Sequence, residues 1–386
     1  MHGSEILLDL FVIFVAAQIG AGVARMLRLP GVVGEIAVGC AIGPSVLGWI
    51  APSEPLEVLA EIGVVLLLFS VGLETRVDEM KRVGRSAFLV GVLGVIVPFA
   101  LGSLWAHGSG FDWDKSLFVA AAFVATSAGI TARVLQELGV LQRQESRVIL
   151  GAAVIDDILA MLLLGIVTAL QAGESVQIGK LVVIVAEAVG FVLVIGFFGT
   201  HIARRWSQRL ASLKLCSSLA LALALCLGLA FASTQFGLAA IIGAFLAGMV
   251  ASEIPQRDEL EHQTQPLLAL MTPFFFVLTG AKIELAQLAS TDALLALAVI
   301  TAIALVSKLV GGFLGALALG RRGALIVGVG MMPRGEVGVV IASLGLATGV
   351  FSPRTYALIV AMSLLTSIVT PPLLALLLQP RQTSPQ

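Results

Sequence analysis

Charge is scarce in this chain. Asp, Glu, Lys and Arg make up only 12% of the residues, about half the ~25% usual in a water-soluble domain. With 58% hydrophobic residues and a mean hydropathy of +1.04, the chain reads as a polytopic membrane protein. A net charge of -1 offers no field for a nucleic acid. Cysteine is also rare. Cys40, Cys216 and Cys226 all lie in apolar stretches, spaced neither as a disulfide framework nor as a metal site. His2, His107, His201 and His262 are scattered, and none has a partner at ligand spacing. A transition metal is therefore not expected. No basic run precedes the first apolar stretch, which carries Glu5 and Asp9. It reads as a retained helix, not a cleaved signal peptide. No segment is long enough for a soluble domain, and no cofactor or covalent chemistry is implied. An enzyme is not expected.

What is present is a series of apolar segments. Thirteen spans are predicted, at about 4–28, 31–50, 56–74, 84–107, 115–137, 144–171, 178–203, 214–233, 236–252, 264–281, 291–318, 321–348 and 354–378. Seventeen Lys and Arg residues fall in the loops of one side and four in those of the other. The richer side should be cytoplasmic, which puts the N-terminus outside and the C-terminus inside. The basic clusters around Arg76–Arg85 and Arg204–Lys214 follow this topology and are candidates for anionic lipid. Residues 33–39 resemble 242–248, 209 residues later, and residues 69–72 align with 277–280, 208 later. Seven crossings separate each pair, an odd number, so two six-helix units would face opposite ways with the seventh span joining them. Inverted repeats of this kind mark transporters, with the site near the midplane at broken helices.

The polar residues inside the spans carry the chemistry. Asp156 and Asp157 are adjacent in an apolar helix. Asp156 lies nine residues past Arg147, roughly 14 Å at ~1.5 Å per residue, near the middle of a hydrocarbon core ~30 Å thick. A charge there costs on the order of 3 kcal/mol on insertion scales. Two carboxylates repel and can trade a metal ion for protons; a hydrogen-bonded structural pair is the plainer alternative. Lys308 sits ten residues from the cytoplasmic end of its helix, too deep to snorkel, and needs one of these aspartates as a partner. That pair could be structural, or the lysine could release its proton when sodium takes the aspartate.

Breaks are expected at matching places in the two units, at 125–131 in the fifth span and 328–336 in the twelfth. Pro333 and the glycines interrupt the second, flanked by Arg334 and Glu336. A plain proline kink is the alternative there. Thr126 and Ser127 mark the first break, unless they bond back along their own helix. Opened carbonyls and half-helix ends can face ions where they line a cavity. Glu35 and Glu61 read as interhelical or end-of-helix groups, and Glu187 as an interface hydrogen bond. Gly311, Gly312 and Gly315 form a small face for close helix packing.

Residues 152–157, 131–139, 333–338 and 43–48 resemble bacterial sodium/proton antiporters of the cation:proton antiporter-2 family, over essentially the whole chain. The likeness is closest to that family's thirteen-helix Thermus-type members. The resemblance implies an all-α homodimer in the bacterial cell membrane, bound by membrane lipid. It implies a dimer domain in residues 1–75 and 211–285, a core ion-translocation domain in 76–172 and 286–380, a linker helix in 173–210 and a polar tail in 381–386. The core would slide against the dimer domain in an elevator-type cycle. Asp157 matches the essential ion-binding aspartate, and Asp156 its neighbour, paired with Lys308. Thr126 and Ser127 match the break beside the site, and Arg334 and Glu336 the charges of the second break. The Asp-Asp pair with the lysine implies electrogenic exchange of Na+, with Li+, for inward protons. A K+/H+ antiporter of the same family is the alternative. The paired acids argue against an organic-anion symporter, and a channel or sensor is less favoured.

Overall fold

The computed structural model describes residues 2–378, apart from 76, 172–177, 200, 202, 204, 206–216, 283–287 and 289. Apolar segments without water to bond their backbones close into helices, and helices make up the regular structure among the described residues. They are α1 (His2–Met26), α2 (Gly31–Ile42), α3 (Glu54–Leu73), α4 (Val77–Gly108), α5 (Trp113–Val124), α6 (Ala128–Glu137), α7 (Gln144–Gln171) and α8 (Ile178–Val194), the last continuing into a π-turn at Ile195–Gly199. Then follow α9 (Ser218–Gln235), α10 (Ala240–Ala251), α11 (Arg257–Ala281), α12 (Thr291–Gly315), α13 (Gly320–Gly330), α14 (Glu336–Ala347) and α15 (Pro353–Leu378).

Among the described residues, eight segments are long and apolar enough to cross a membrane by themselves. One of them, Lys115–Glu137, runs through the gap between α5 and α6, whereas α2 and α10 are shorter apolar helices. The second span was expected to reach residue 50, but α2 stops at Ile42. Gly43 is extended, Pro44 has no amide hydrogen to donate, and the chain folds back so that Leu47 N donates to Ala41 O at 3.1 Å and Trp49 N to Ile42 O at 3.0 Å. The tenth span was expected from 264, but α11 already starts at Arg257. Its first turn holds Asp258 and Glu259, which suit the positive end of a helix. The linker segment beyond Gly199, the polar tail and the Arg204–Lys214 cluster fall largely outside the described residues.

The helices pack in two sets. In one, α4 lies against α5, α7 and α12, while α15 lies against α12, α13 and α14. In the other, α2 lies against α1 and α11, α3 against α10 and α11, and α9 against α10. Helix α6 touches both, meeting α2 and α3 on one side and α7 and α15 on the other.

Glycine sets the closest approaches in the second set. A Cβ on Gly39 would fall on the carbonyl of Val277, and one on Gly280 on the carbonyl of Ile36. A Cβ on Gly248 would fall on the carbonyl of Phe69, and one on Gly72 on the carbonyl of Phe245. Displacing Gly39 and Val277 by the repeat offsets of 209 and 208 residues yields Gly248 and Phe69. The α2–α11 contact therefore recurs between α10 and α3 with the two partners' places exchanged. Gly39→Ala and Gly248→Ala are expected to destabilise the protein by similar amounts, at least ~2 kcal/mol each, because backbone cannot yield as a side chain can. Thermal unfolding in detergent checks this; one variant near wild type beside a crippled other would break the equivalence.

Candidate ion-binding site

The site is built where two helices are interrupted. Helix α5 ends at Val124 because Ala125 turns extended, and α6 starts at Ala128. Helix α13 ends at Gly330 and α14 starts at Glu336, with Pro333 between them. The gaps, 125–127 and 331–335, fall inside the stretches expected from sequence. They touch: Ser127 N donates to Pro333 O at 2.8 Å, and Thr131 Oγ1 donates to Gly330 O at 2.7 Å. Gly335 lies so close that an added Cβ would come within 2.7 Å of Ser127 Cβ.

Broken helices strand backbone groups that must find partners. Arg334, 1% exposed, serves one of them. Its Nη1 donates to Val124 O at 3.1 Å, at the open end of α5, and its Nη2 to Ala304 O on α12 at 2.8 Å. A guanidinium at a helix C-terminus also opposes the negative end of the dipole. The interruption at Pro333 is thus more than a kink, since it carries a buried cation bonded to two other helices.

Lys308 and Asp156 are both 0% exposed, and Lys308 Nζ is bonded to Asp156 Oδ1 as an ion pair. Burial of both charges is tolerable only because they meet. Asp157, 3% exposed, and Arg334 also lie within electrostatic range of Lys308. Gly94 of α4 makes room for the pair: a Cβ there would lie 3.4 Å from Lys308 Nζ and 3.6 Å from Asp156 Oδ1. Three buried oxygens, Asp156 Oδ2, Thr126 Oγ1 and Ser127 Oγ, have no hydrogen-bond partner among the described residues. Thr126 and Ser127 therefore do not bond back along a helix. Oxygen donors in a buried polar setting suit a hard cation. Among the described residues no three His, Cys, Asp or Glu side chains gather as for a transition metal.

Of the residues singled out from sequence, the structure brings Asp156 to Lys308 and Ser127 to the Pro333–Gly335 turn, with Arg334 joining α5 to α12. Glu336 opens α14, but its side chain lies outside the described residues. Glu35 is buried, with one carboxylate oxygen unpartnered among the described residues, whereas Glu61 and Glu187 are exposed. Gly311 and Gly315 pack against the backbone of α4, and Gly312 against Gly328 of α13. Sequence reasoning missed Gly94 and the hydroxyls of α15. It also missed the end of α6, where Glu137 Oε2 accepts from Gly31 N at 2.9 Å and Gln136 Nε2 donates to Ser70 Oγ at 3.1 Å and Glu74 Oε1 at 3.3 Å. Only the amphipathic pattern of 128–137 hinted at such a polar edge.

Glu74 caps α3 just beyond its apolar stretch, and burial pushes its carboxyl above the usual range. A carboxyl raised on folding favours the protonated form. It contributes stability at pH below its unfolded value that is lost as pH rises through the folded one. Glu74→Gln is expected to flatten that part of the stability–pH profile. A thermal-shift series across the acidic range in both proteins reads it, and identical slopes would remove Glu74 as the cause.

The family described as "Sodium/hydrogen exchanger, transmembrane" matches residues 11–379. The high-affinity Na+/H+ antiporter NhaS3 of Synechocystis is 35% identical, covering 95% of this chain and 88% of that protein. The Na+/H+-K+ antiporter GerN of Bacillus cereus is 34% identical, covering 96% and 95%. The structure of the sodium proton antiporter MjNhaP1 from Methanocaldococcus jannaschii at pH 8 superposes with a TM-score of 0.69 at 17% identity, covering 96% of this chain and 97% of that one. The multi-pass helical fold is shared.

Proposed function

Because the chain belongs to the sodium/hydrogen exchanger family, we propose that it is a secondary antiporter that expels Na+ in exchange for protons entering the cell. The observation that carries this reading is the buried Lys308–Asp156 pair with Asp156 Oδ2, Thr126 Oγ1 and Ser127 Oγ left without partners among the described residues, beside two helix breaks that touch. Asp157 binds either Na+ or a proton, so the two compete. With the site free of sodium, Lys308 holds Asp156. When Na+ enters, Asp156 turns to it and Lys308 gives up its proton, so two protons exchange for one Na+ and the cycle moves net charge. Li+ is carried in the same way.

The exchanged glycine contacts support an inverted pair of six-helix units, within a thirteen-span topology close to the Thermus-type antiporters. The set holding α4, α5, α7 and α12–α15 is the translocating core, with α6. It moves as an elevator against α1–α3 and α9–α11, which also form the interface of a homodimer. The excess of basic residues on one side supports an N-terminus outside the bacterial cell membrane and a C-terminus within. The side-chain bonds from α6 to Gly31, Ser70 and Glu74 are contacts that such a movement would break. GerN, named for K+ as well as Na+, favours testing potassium as the second ion.

The test is proton flux in proteoliposomes with an acidic interior and NaCl, LiCl or KCl added outside. Alkalinisation by sodium and lithium supports the proposal. A response to potassium alone moves the reading to K+/H+ exchange, and no response from a folded, inserted sample ends it.

A further inference from the structure

Helix α15 carries Ser363, Thr366, Ser367 and Thr370, spaced to share one face and all buried. In an apolar helix, hydroxyls commonly satisfy themselves on their own backbone, and these do so in part. Thr366 Oγ1 donates to Ser363 O at 2.7 Å, and Thr370 Oγ1 to Thr366 O at 2.7 Å. Two of the four do something more. Having given its hydrogen to Ser363, Thr366 Oγ1 accepts from Arg334 N at 3.1 Å. Ser367 Oγ lies 3.0 Å from Arg334 O and 2.8 Å from Ser363 O, one hydrogen facing two acceptors.

These bonds reach the backbone groups that the interruption strands. In an unbroken helix Arg334 N would donate to Gly330 O. Here Gly330 O accepts from Thr131 instead. The amide and carbonyl of Arg334 are both taken by α15, while its guanidinium grips Val124 O, beside Thr126, and Ala304 O, one turn before Lys308.

We infer that Thr366 and Ser367 are positioning residues for cation binding, clamping the main chain of Arg334 so that its side chain sets the open end of α5 and the turn of α12 before Lys308. They do not touch the ion. The inference rests on the proposed sodium/proton exchange for its transport readout, but the clamp can also be measured without transport. Thr370 provides the control, being equally buried and bonded back along the same helix without reaching Arg334.

The experiment compares Thr366→Val, Thr366→Ser, Ser367→Ala and Thr370→Val in proteoliposomes and, in detergent, by backbone hydrogen exchange over 331–335. Thr366→Val keeps shape and removes the acceptor. It is expected to raise the KM for Na+ about tenfold, the scale of a buried donor left without its acceptor, with maximal rate within about twofold. Exchange over 331–335 should accelerate. Thr366→Ser should restore both, and Thr370→Val should change neither. If Thr366→Val does not fold, Ser367→Ala decides, with the same KM shift and faster exchange expected. Equal behaviour of the Thr366 and Thr370 variants, or a loss of maximal rate with KM unchanged, overturns the inference. A wild type that moves no protons with sodium would end the exchange reading instead, while unaltered exchange in Thr366→Val and Ser367→Ala would still refute the clamp.

Discussion

Asp157→Asn is expected to reduce sodium-driven proton flux to the background of empty vesicles. Asparagine keeps the shape of the side chain and removes both its charge and its titration. A carboxylate about 4 Å from a cation at an effective dielectric of ~20 contributes ~4 kcal/mol, about a thousandfold in affinity. The protonated half of the cycle is lost as well, so no proton can be exchanged at that position. The fold should survive, because removing a buried charge relieves a cost that membrane burial imposes. Thermal unfolding separates the two effects. Wild type should gain stability from sodium, by ~2.7 kcal/mol at a hundredfold excess over Kd, and lose that gain in acid as protons compete. The variant should show no sodium response at any pH. Persistent sodium-driven flux in a well-folded Asp157→Asn sample would move the ion to another ligand.

Lys308→Met is expected to be the most destabilising substitution in the site. It leaves Asp156 buried without its cation, for which breaking a buried pair gives a loss of about 3–5 kcal/mol. Adding Asp156→Asn should recover most of that loss, since an uncharged pair needs no counter-ion. The double variant then tests whether the buried pair moves the charge. It leaves Asp157 as the one titratable group of the three, so it should exchange one proton for each sodium and generate no current. Current measured on a supported membrane, beside proton flux, reads this; full current in the double variant would place the second proton outside the Lys308–Asp156 pair.

Much of this site could be read from the sequence because charge is so expensive in an apolar segment that each exception needs a reason. Asp156, Asp157, Lys308 and Arg334 stood out on that ground, and Pro333 with its neighbouring glycines located one interruption. What the residues by themselves left open was direction. Whether Lys308 meets Asp156 or Asp157 depends on which side of α7 faces α12, and a one-residue difference is about 100° around a helix; only the family resemblance pointed to Asp156, the partner found in the structure. Hydroxyls were ambiguous for another reason: Thr126 and Ser127 stay unpaired while Thr366 also holds Arg334, although each could have bonded to its own helix. Helix ends were read from hydropathy, so the polar start of α11 was missed and the Gly43–Pro44 stop in α2 was overrun.

The contacts at Gly39, Gly280, Gly72 and Gly248 are main chain against main chain. Such a seam has no rotamers to exchange, so α2 with α11 and α3 with α10 form a stiff frame that resists sliding. The neighbouring α6 meets that frame differently, through the side chains of Glu137 and Gln136. Those can let go and find new partners. The exchangeable contacts between the two sets thus include those of α6, the helix whose broken start follows Thr126 and Ser127, while α15 also meets α2.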